Sequence, residues 1–359
     1  MDGPEIFLFP AEATGVAAIR VFVPVTEHPV ERGAGAVVAE LAERRMRGAV
    51  GSTGADVSAT RSPWGISYSV EGAEIDLDFL GFLIRTGVAA PSPGDGNLPE
   101  ILVLSREEAS RREESPEEYL VARLLTELGV TTASAAGELR FAGIRELWAR
   151  THVPGSMAVF VHTSAEPAVV LAALGILGNR DPPPAGLDDL PHPSIAASGR
   201  PSTIRRWHGS VWADRSPADP RAEVLVRLIA ARMNSGPDES VMAVRLLTLA
   251  DRSAIVVTGA AYPRGANTVR ELLRGIVDRV RETLTEQEVR EAAREAALER
   301  WTRLDRPAAV LRAITDAYGT TGELAAASER LRQLESLGLA EMLEYVETLD
   351  GPRYADLGR

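Results

Sequence analysis

A proline-rich stretch near the middle of the chain divides the sequence into two halves of similar make-up. Residues 179–201 contain six prolines and show no periodic apolar pattern, which is typical of a linker between domains. The full length of 359 residues is enough for about two domains. The sequence therefore predicts an N-terminal domain at 1–180, a linker at 181–201 and a C-terminal domain at 202–359.

Both halves combine strand-like and helix-like segments without a strict alternation of the two. The predicted strands are rich in β-branched and aromatic residues and lie at Ile6–Pro10, Val16–Val25, Val57–Thr60, Gly65–Val70, Met157–Thr163, Arg206–Trp212, Ser240–Leu249 and Ser253–Ala261. The predicted helices lie at Gly33–Arg47, Glu74–Arg85, Glu100–Leu128 with a break at Ser115–Pro116, Glu138–Arg150, Glu166–Leu177, Ala222–Met233, Thr268–Glu282 and Thr285–Leu304, with three shorter helices from Pro307, Gly322 and Leu339. This order favours an α+β fold with two α/β sandwich domains over a doubly wound sheet.

Composition excludes several classes of function. The net charge is -12 and no basic block occurs, which argues against nucleic-acid binding. The chain has no cysteine, so disulfides and thiolate metal sites are excluded, and all 39 basic residues are arginine, which excludes lysine nucleophiles. No apolar run is long enough to span a membrane, and the N-terminus lacks a signal-peptide pattern. A cytoplasmic location is the expectation, and the arginine-, alanine- and glycine-rich composition points to a GC-rich bacterial genome.

Four segments, in the same order along the chain, carry a resemblance to a known family. They are GADVSATRSPWGISY at 54–68, the helix and break at 107–119, HVPGSM at 152–157 followed by AVFVHTSAEP, and TLTEQEV at 283–289. Together they resemble the M16 (pitrilysin-like) peptidases, in particular the short M16B type. The resemblance implies two M16-like, metalloprotease-like α/β sandwich domains that form half of a clamshell.

The helix at 33–47 lies where active M16 members carry His-x-x-Glu-His. In those members two histidines one turn apart bind zinc, the glutamate between them activates water, and a later helix supplies a third ligand. In this chain Ala36, Ala39 and Glu40 stand at those positions, while Glu107 or Glu108 could fill the distal position. One carboxylate cannot hold zinc, so the resemblance implies no catalytic residues, no bound metal or cofactor, and a vestigial Glu108.

The sequence carries no motif for another reactive site. A metal site from distant histidines or a serine nucleophile has no supporting spacing, since no Gly-x-Ser-x-Gly occurs. The family's substrate-gripping segment of the second domain is missing at 232–240, and Tyr262 and Arg264 lie elsewhere. The positive prediction is a substrate-binding edge strand formed by Val57, Ser58, Ala59 and Thr60, because in the family the corresponding strand accepts peptide through backbone hydrogen bonds.

The resemblance implies a partner. We expect a non-catalytic subunit that pairs with an active M16 chain carrying His-x-x-Glu-His, contributes chamber wall and peptide selection, and leaves the zinc in that partner. The alternative is a stand-alone peptide-binding or scaffold protein, as a homodimer, without protease activity. Nucleic acid and membranes are not expected partners.

Overall fold

The structure, a computed structural model, describes residues 3–12, 15–28, 31, 33–91, 97–130, 141–178, 203–234 and 240–358. In chain order the elements are β1 (Glu5–Pro10), β2 (Val16–Pro24), α1 (Ala34–Val50), β3 (Asp56–Ser62), β4 (Gly65–Ala73), α2 (Leu77–Val88), α3 (Leu98–Glu114), α4 (Pro116–Glu127), α5 (Phe141–Thr151), β5 (Ala158–Thr163), α6 (Pro167–Leu174), β6 (Arg206–Asp214), α7 (Pro220–Met233), β7 (Val241–Thr248), β8 (Ser253–Ala261), α8 (Ala266–Arg274), α9 (Ile276–Thr283), α10 (Glu286–Thr302), α11 (Pro307–Thr321), α12 (Ala326–Ser336), α13 (Leu339–Thr348) and β9 (Asp350–Leu357). No described helix is long and apolar enough to cross a membrane.

The chain forms two compact units that are each built from more than one segment. The first contains Met1–Glu107, Ala135–Ile195 and Arg303–Ala327, and the second contains Glu108–Ser134, Ala196–Thr302 and Ser328–Arg359. The units therefore depart from the continuous domains at 1–180 and 202–359, because a helix from each half is built into the other unit. The linker at 181–201 lies outside the described residues.

The first unit is built on a mixed five-stranded sheet with the order β1-β5-β2-β4-β3. β1 and β5 are parallel, and the remaining neighbours are antiparallel. Helices α1, α2 and α5 cover one face, and their apolar sides enclose the main core with Val57, Ala59 and Tyr68. β3 is an edge strand of this sheet, which places the predicted substrate-binding strand at an open rim.

The opposite face of the first sheet is covered by α11, a helix from the second half of the sequence. Leu311 packs there with Phe22 and Phe160, and the Tyr318 ring lies edge-on to Phe160 at 5.3 Å between centroids. This cover explains why β2 is almost continuously apolar, since a strand buried on both faces has no polar side.

The second unit contains an antiparallel four-stranded sheet with the order β7-β8-β6-β9. Helix α4, from the first half of the sequence, packs on one face through Leu120 and Leu124. Arg245 of β7 fixes this helix by ion pairs to Glu118 at 2.5 Å and Glu117 at 2.7 Å. Helices α7, α9, α10 and α13 pack with α8 on the other face.

Candidate functional site

The three residues of α1 that the resemblance assigns to the zinc-helix positions lie on two different sides of the helix. Ala36 and Glu40 are exposed, whereas Ala39 is only 4% exposed and belongs to the core. Two histidines at 36 and 40 would share a face one turn apart, but the residues present offer one carboxylate. Glu107 and Glu108 are exposed on α3. Among the described residues, no group of three His, Asp or Glu side chains is arranged to hold a metal ion.

Glu40 is paired with Arg44, one turn further along α1. Arg44 Nε donates to Glu40 Oε1 at 2.8 Å, and Arg44 Nη1 lies 3.0 Å from Glu100 Oε2 on α3. Hydrogen bonding to Glu40 raises the pKa of Arg44 above its ordinary value, so the guanidinium stays charged. A positive charge that already bridges carboxylates from α1 and α3 opposes entry of a second cation at the same point.

The N-terminus of α1 is capped from the preceding loop. Glu27 accepts the backbone N–H of Gly33 at 2.9 Å and of Gly35 at 3.1 Å, which satisfies two of the helix's free donors with a negative charge. Arg61 of β3 also donates to Glu27. A Cβ at Gly35 would lie 2.6–2.8 Å from Glu27 and Arg61 atoms, so this glycine lets α1 approach the edge strand closely.

The predicted substrate-binding residues lie in β3 as expected. Val57 and Ala59 are buried in the core beside α1, while Ser58 is half-buried and Thr60 exposed. Ala59 N–H donates to Glu43 Oε2 of α1 at 2.9 Å instead of to β4. Because hydrogen-bonded and non-bonded pairs alternate in an antiparallel ladder, Val57, Ala59 and Arg61 direct their backbone groups to the open rim.

The sequence analysis did not anticipate the contact between Glu43 and Ala59. Gly35, Ala39 and Glu43 are spaced four residues apart and form one row on α1. Gly35 lies against Arg61 and Glu43 against Ala59, so this row follows the edge strand. No local sequence signal reports this, since Glu43 also has an ordinary i,i+4 partner in Arg47.

The motif residues at 152–164 have structural partners. His152 Nε2 lies 2.5 Å from the Tyr68 hydroxyl, and His152 Nδ1 lies 2.9 Å from Thr151 Oγ1, which donates to Leu147 O. The Thr151 hydroxyl proton is thus used, so His152 Nδ1–H donates to it and Nε2 accepts from Tyr68. Burial raises the pKa of Tyr68, which keeps this hydroxyl a donor.

The remaining histidines and the second-unit residues do not form a metal or gripping site in the described part of the chain. His28 is exposed, His208 Nδ1 lies 2.6 Å from Asp356, and His192 lies outside the described residues. The segment at 232–240 is described only in part, and Arg232 pairs with Glu288. The ring of Tyr262 lies under the guanidinium of Arg205 at 5.1 Å.

Glu74 organises the turn between β5 and α6. Its carboxylate accepts from Thr163 Oγ1, from Ser164 N at 2.5 Å and Oγ at 2.6 Å, and from Ala165 N at 3.0 Å. The hydroxyls of Ser164 and Thr163 and these backbone donors hold the pKa of Glu74 below its ordinary value. Thr163 and Ser164 therefore have a structural role in this turn.

Replacing Glu74 by glutamine is expected to cost about 1 kcal/mol of unfolding free energy at pH 7, because an amide satisfies these donors less well. Since the folded pKa lies below the unfolded one, the stabilisation is full above about pH 4.5 and is lost as the pH falls through the folded pKa. Urea unfolding at pH 7 and pH 3 measures both values. Asp76→Asn is the control, because Asp76 is an exposed acid in the same short helical turn as Glu74, and an equal loss at both pH values would contradict the account.

The fold is similar to those of solved peptidase structures. The structure superposes on a protease from Helicobacter pylori with a TM-score of 0.79, at 14% identity, covering 99% of this chain and 97% of that one. It superposes on an M16-like peptidase from Alicyclobacillus acidocaldarius with a TM-score of 0.69, at 14% identity, covering 99% and 95%. The chain has the fold of the M16-like peptidases.

A third similar structure is a chain of Complex III2 from Candida albicans with Inz-5 bound. Its TM-score is 0.68, at 11% identity, covering 98% of this chain and 93% of that one. No protein-family model and no curated protein sequence matches the chain. The M16-like fold confirms the predicted α+β class with two M16-like units, and identities this low show the fold alone.

Proposed function

We propose that this chain is the non-catalytic subunit of an M16-type zinc peptidase. It pairs with an active chain that carries His-x-x-Glu-His, supplies part of the chamber wall, helps to select the peptide and stabilises its partner. The reaction, hydrolysis of a peptide bond by zinc-activated water, takes place on the partner, in the cytoplasm of a bacterium. This chain contributes binding surface and no reacting group.

One observation carries the proposal. In this M16-like fold α1 lies beside the edge strand, the resemblance assigns the zinc-helix positions to Ala36, Ala39 and Glu40, and Glu40 is already paired with Arg44. Zinc needs three protein ligands in a catalytic site, and the water it activates needs a base. A peptidase scaffold without these groups, but with an open strand edge, supports a binding role. The similarity to a chain of Complex III2 supports membership of an assembly.

The edge strand also supports the alternative of a stand-alone peptide-binding homodimer. The predicted strand of Val57, Ser58, Ala59 and Thr60 would bind a peptide in either case, through the outward backbone groups of Val57 and Ala59. The two functions differ in the partner: the subunit binds a zinc-bearing chain, and the scaffold binds a second copy of itself.

The metal content of the purified chain tests the non-catalytic part of the proposal. After incubation with zinc and gel filtration, we expect no stoichiometric zinc by mass spectrometry and no cleavage of unstructured peptides. Glu40→Ala is the matched variant, and it should behave as the unchanged chain does. Stoichiometric zinc that is lost in Glu40→Ala, together with peptide cleavage, would contradict the proposal.

A further inference from the structure

Three residues of β3 have backbone groups that face outward at the rim. The N–H of the middle one already donates a hydrogen bond to a side chain. Val57, Ala59 and Arg61 direct N–H and C=O away from β4, which is the pattern that an added antiparallel strand uses. The Ala59 N–H donates to Glu43 Oε2 at 2.9 Å. An added strand needs this same donor, so it competes with the side chain.

The Glu43 carboxylate is held in place on both of its oxygens. Oε1 pairs with Arg47 Nη2 at 2.5 Å, while Oε2 accepts from Ala59. The Glu43 side chain is 19% exposed, whereas that of Arg47 is 67% exposed. A charged acceptor makes a stronger hydrogen bond to a backbone N–H than a peptide carbonyl does. The Glu43 carboxylate therefore competes with a peptide carbonyl for the Ala59 N–H.

We propose that Glu43 guards the β3 edge, so that an extended peptide adds to this strand only by displacing the Glu43 carboxylate from Ala59. The identity of the occupant as a peptide rests on the proposed function. On displacement, Ala59 N–H passes to a peptide carbonyl, and the released carboxylate keeps its ion pair with exposed Arg47. Edge strands left unguarded pair with other chains, and Glu43 limits that pairing to segments that bind well.

The guard also selects the peptide. The peptide residue opposite Ala59 has to accept from Ala59 N–H and donate to Ala59 C=O, since both groups face the rim. Proline has no N–H, so it is excluded at that one position. An added strand would run past Glu43 of α1, which contacts the rim at Ala59.

Amide exchange of Ala59 tests the guard without any ligand. Measured by NMR on the full chain, exchange at Ala59 is expected to be about tenfold faster in Glu43→Ala than in the unchanged protein. Glu40→Ala removes the same charge from the same helix, but Glu40 accepts from Arg44 and Ala59 donates to Glu43, so this variant should leave Ala59 exchange unchanged. Equal exchange in Glu43→Ala and the unchanged protein would overturn the proposal. If Glu43→Ala does not fold, Glu43→Gln serves, with a smaller rise.

Binding of a defined probe tests the competition. The probe is a fluorescein-labelled decapeptide of alternating threonine and valine, and its partner probe carries proline at the two central positions. We expect Glu43→Ala to bind the first probe about tenfold more tightly than the unchanged chain, and the proline probe much more weakly. An equal gain in Glu40→Ala, dimerisation of Glu43→Ala in place of probe binding, or no probe binding at all would overturn the proposal.

These outcomes are independent of the partner. If Ala59 exchange is faster in Glu43→Ala, the guard is supported. If the chain also purifies without any peptidase partner, the proposed function is contradicted while the guard stands. If Ala59 exchange is unchanged in Glu43→Ala but the chain purifies with a zinc peptidase, the guard is contradicted and the proposed function is supported.

Discussion

Replacing His152 by alanine is expected to lower the free energy of unfolding by about 3–5 kcal/mol, because the change leaves a cavity and an unpaired Tyr68 hydroxyl. His152 is 1% exposed and lies between Tyr68, Thr151 and the Trp148 ring, whose centroid is 5.7 Å away. The bond to Tyr68 joins the end of α5 to the centre of β4, so it links a helix to the sheet that carries β3.

Denaturant unfolding of the full chain measures this loss. Tyr68→Phe should cost less, about 1–2 kcal/mol, since it keeps the ring and removes only the hydroxyl. His28→Ala is the control, because His28 is exposed and its loss should change stability by less than about 0.5 kcal/mol. A cost below about 1 kcal/mol for His152→Ala would show that the buried network does not stabilise the unit.

Replacing Gly65 by alanine is expected to destabilise the chain by about 2–4 kcal/mol. A Cβ at this position would overlap the Val23 carbonyl oxygen and the Phe22 ring, which lie on the neighbouring strand β2. The carbonyl belongs to the paired sheet and cannot move aside as a flexible side chain can. The first residue of β4 therefore has to be glycine where the hairpin from β3 turns back.

Gly48→Ala is the matched control for Gly65. Gly48 lies in α1, a Cβ there meets nothing within 4 Å, and the exchange should stabilise the helix by about 0.5–1 kcal/mol. Thermal unfolding of the two variants should move the midpoint in opposite directions. A Gly65→Ala midpoint equal to that of the unchanged chain would contradict the packing described for the β3–β4 hairpin.

Most helices and strands could be predicted because their signals are local. The helix predicted from Thr285 begins at a capping box: Thr285 N–H donates to Glu288 Oε2 at 3.0 Å, and Glu288 N–H donates to Thr285 Oγ1 at 3.3 Å. The break at Ser115–Pro116 is also confirmed, with Ser115 capping α4. Strand β9 was not predicted, because its Gly351-Pro352 pair reads as a turn and is tolerated at a sheet edge.

Long-range contacts could not be predicted. α4 and α11 each pack on a sheet formed by the other half of the sequence. An amphipathic pattern shows that such a helix buries one face, but it does not show which sheet that face covers. At the site, the prediction that Ala36, Ala39 and Glu40 stand at the zinc-helix positions comes from the sequence resemblance. The bridge from Arg44 to Glu100 and the contact from Glu43 to Ala59 join residues that are 56 and 16 positions apart, and spacing along α1 reveals neither.

The central claim is that this chain works as the inactive half of a peptidase. The most direct measurement is purification of the tagged chain from its native host, followed by identification of bound chains and assay of zinc and peptide cleavage in the complex. The account predicts a stoichiometric partner of M16 fold that carries His-x-x-Glu-His and one zinc, with cleavage lost when this chain is omitted. A lone or self-paired chain without zinc would contradict it.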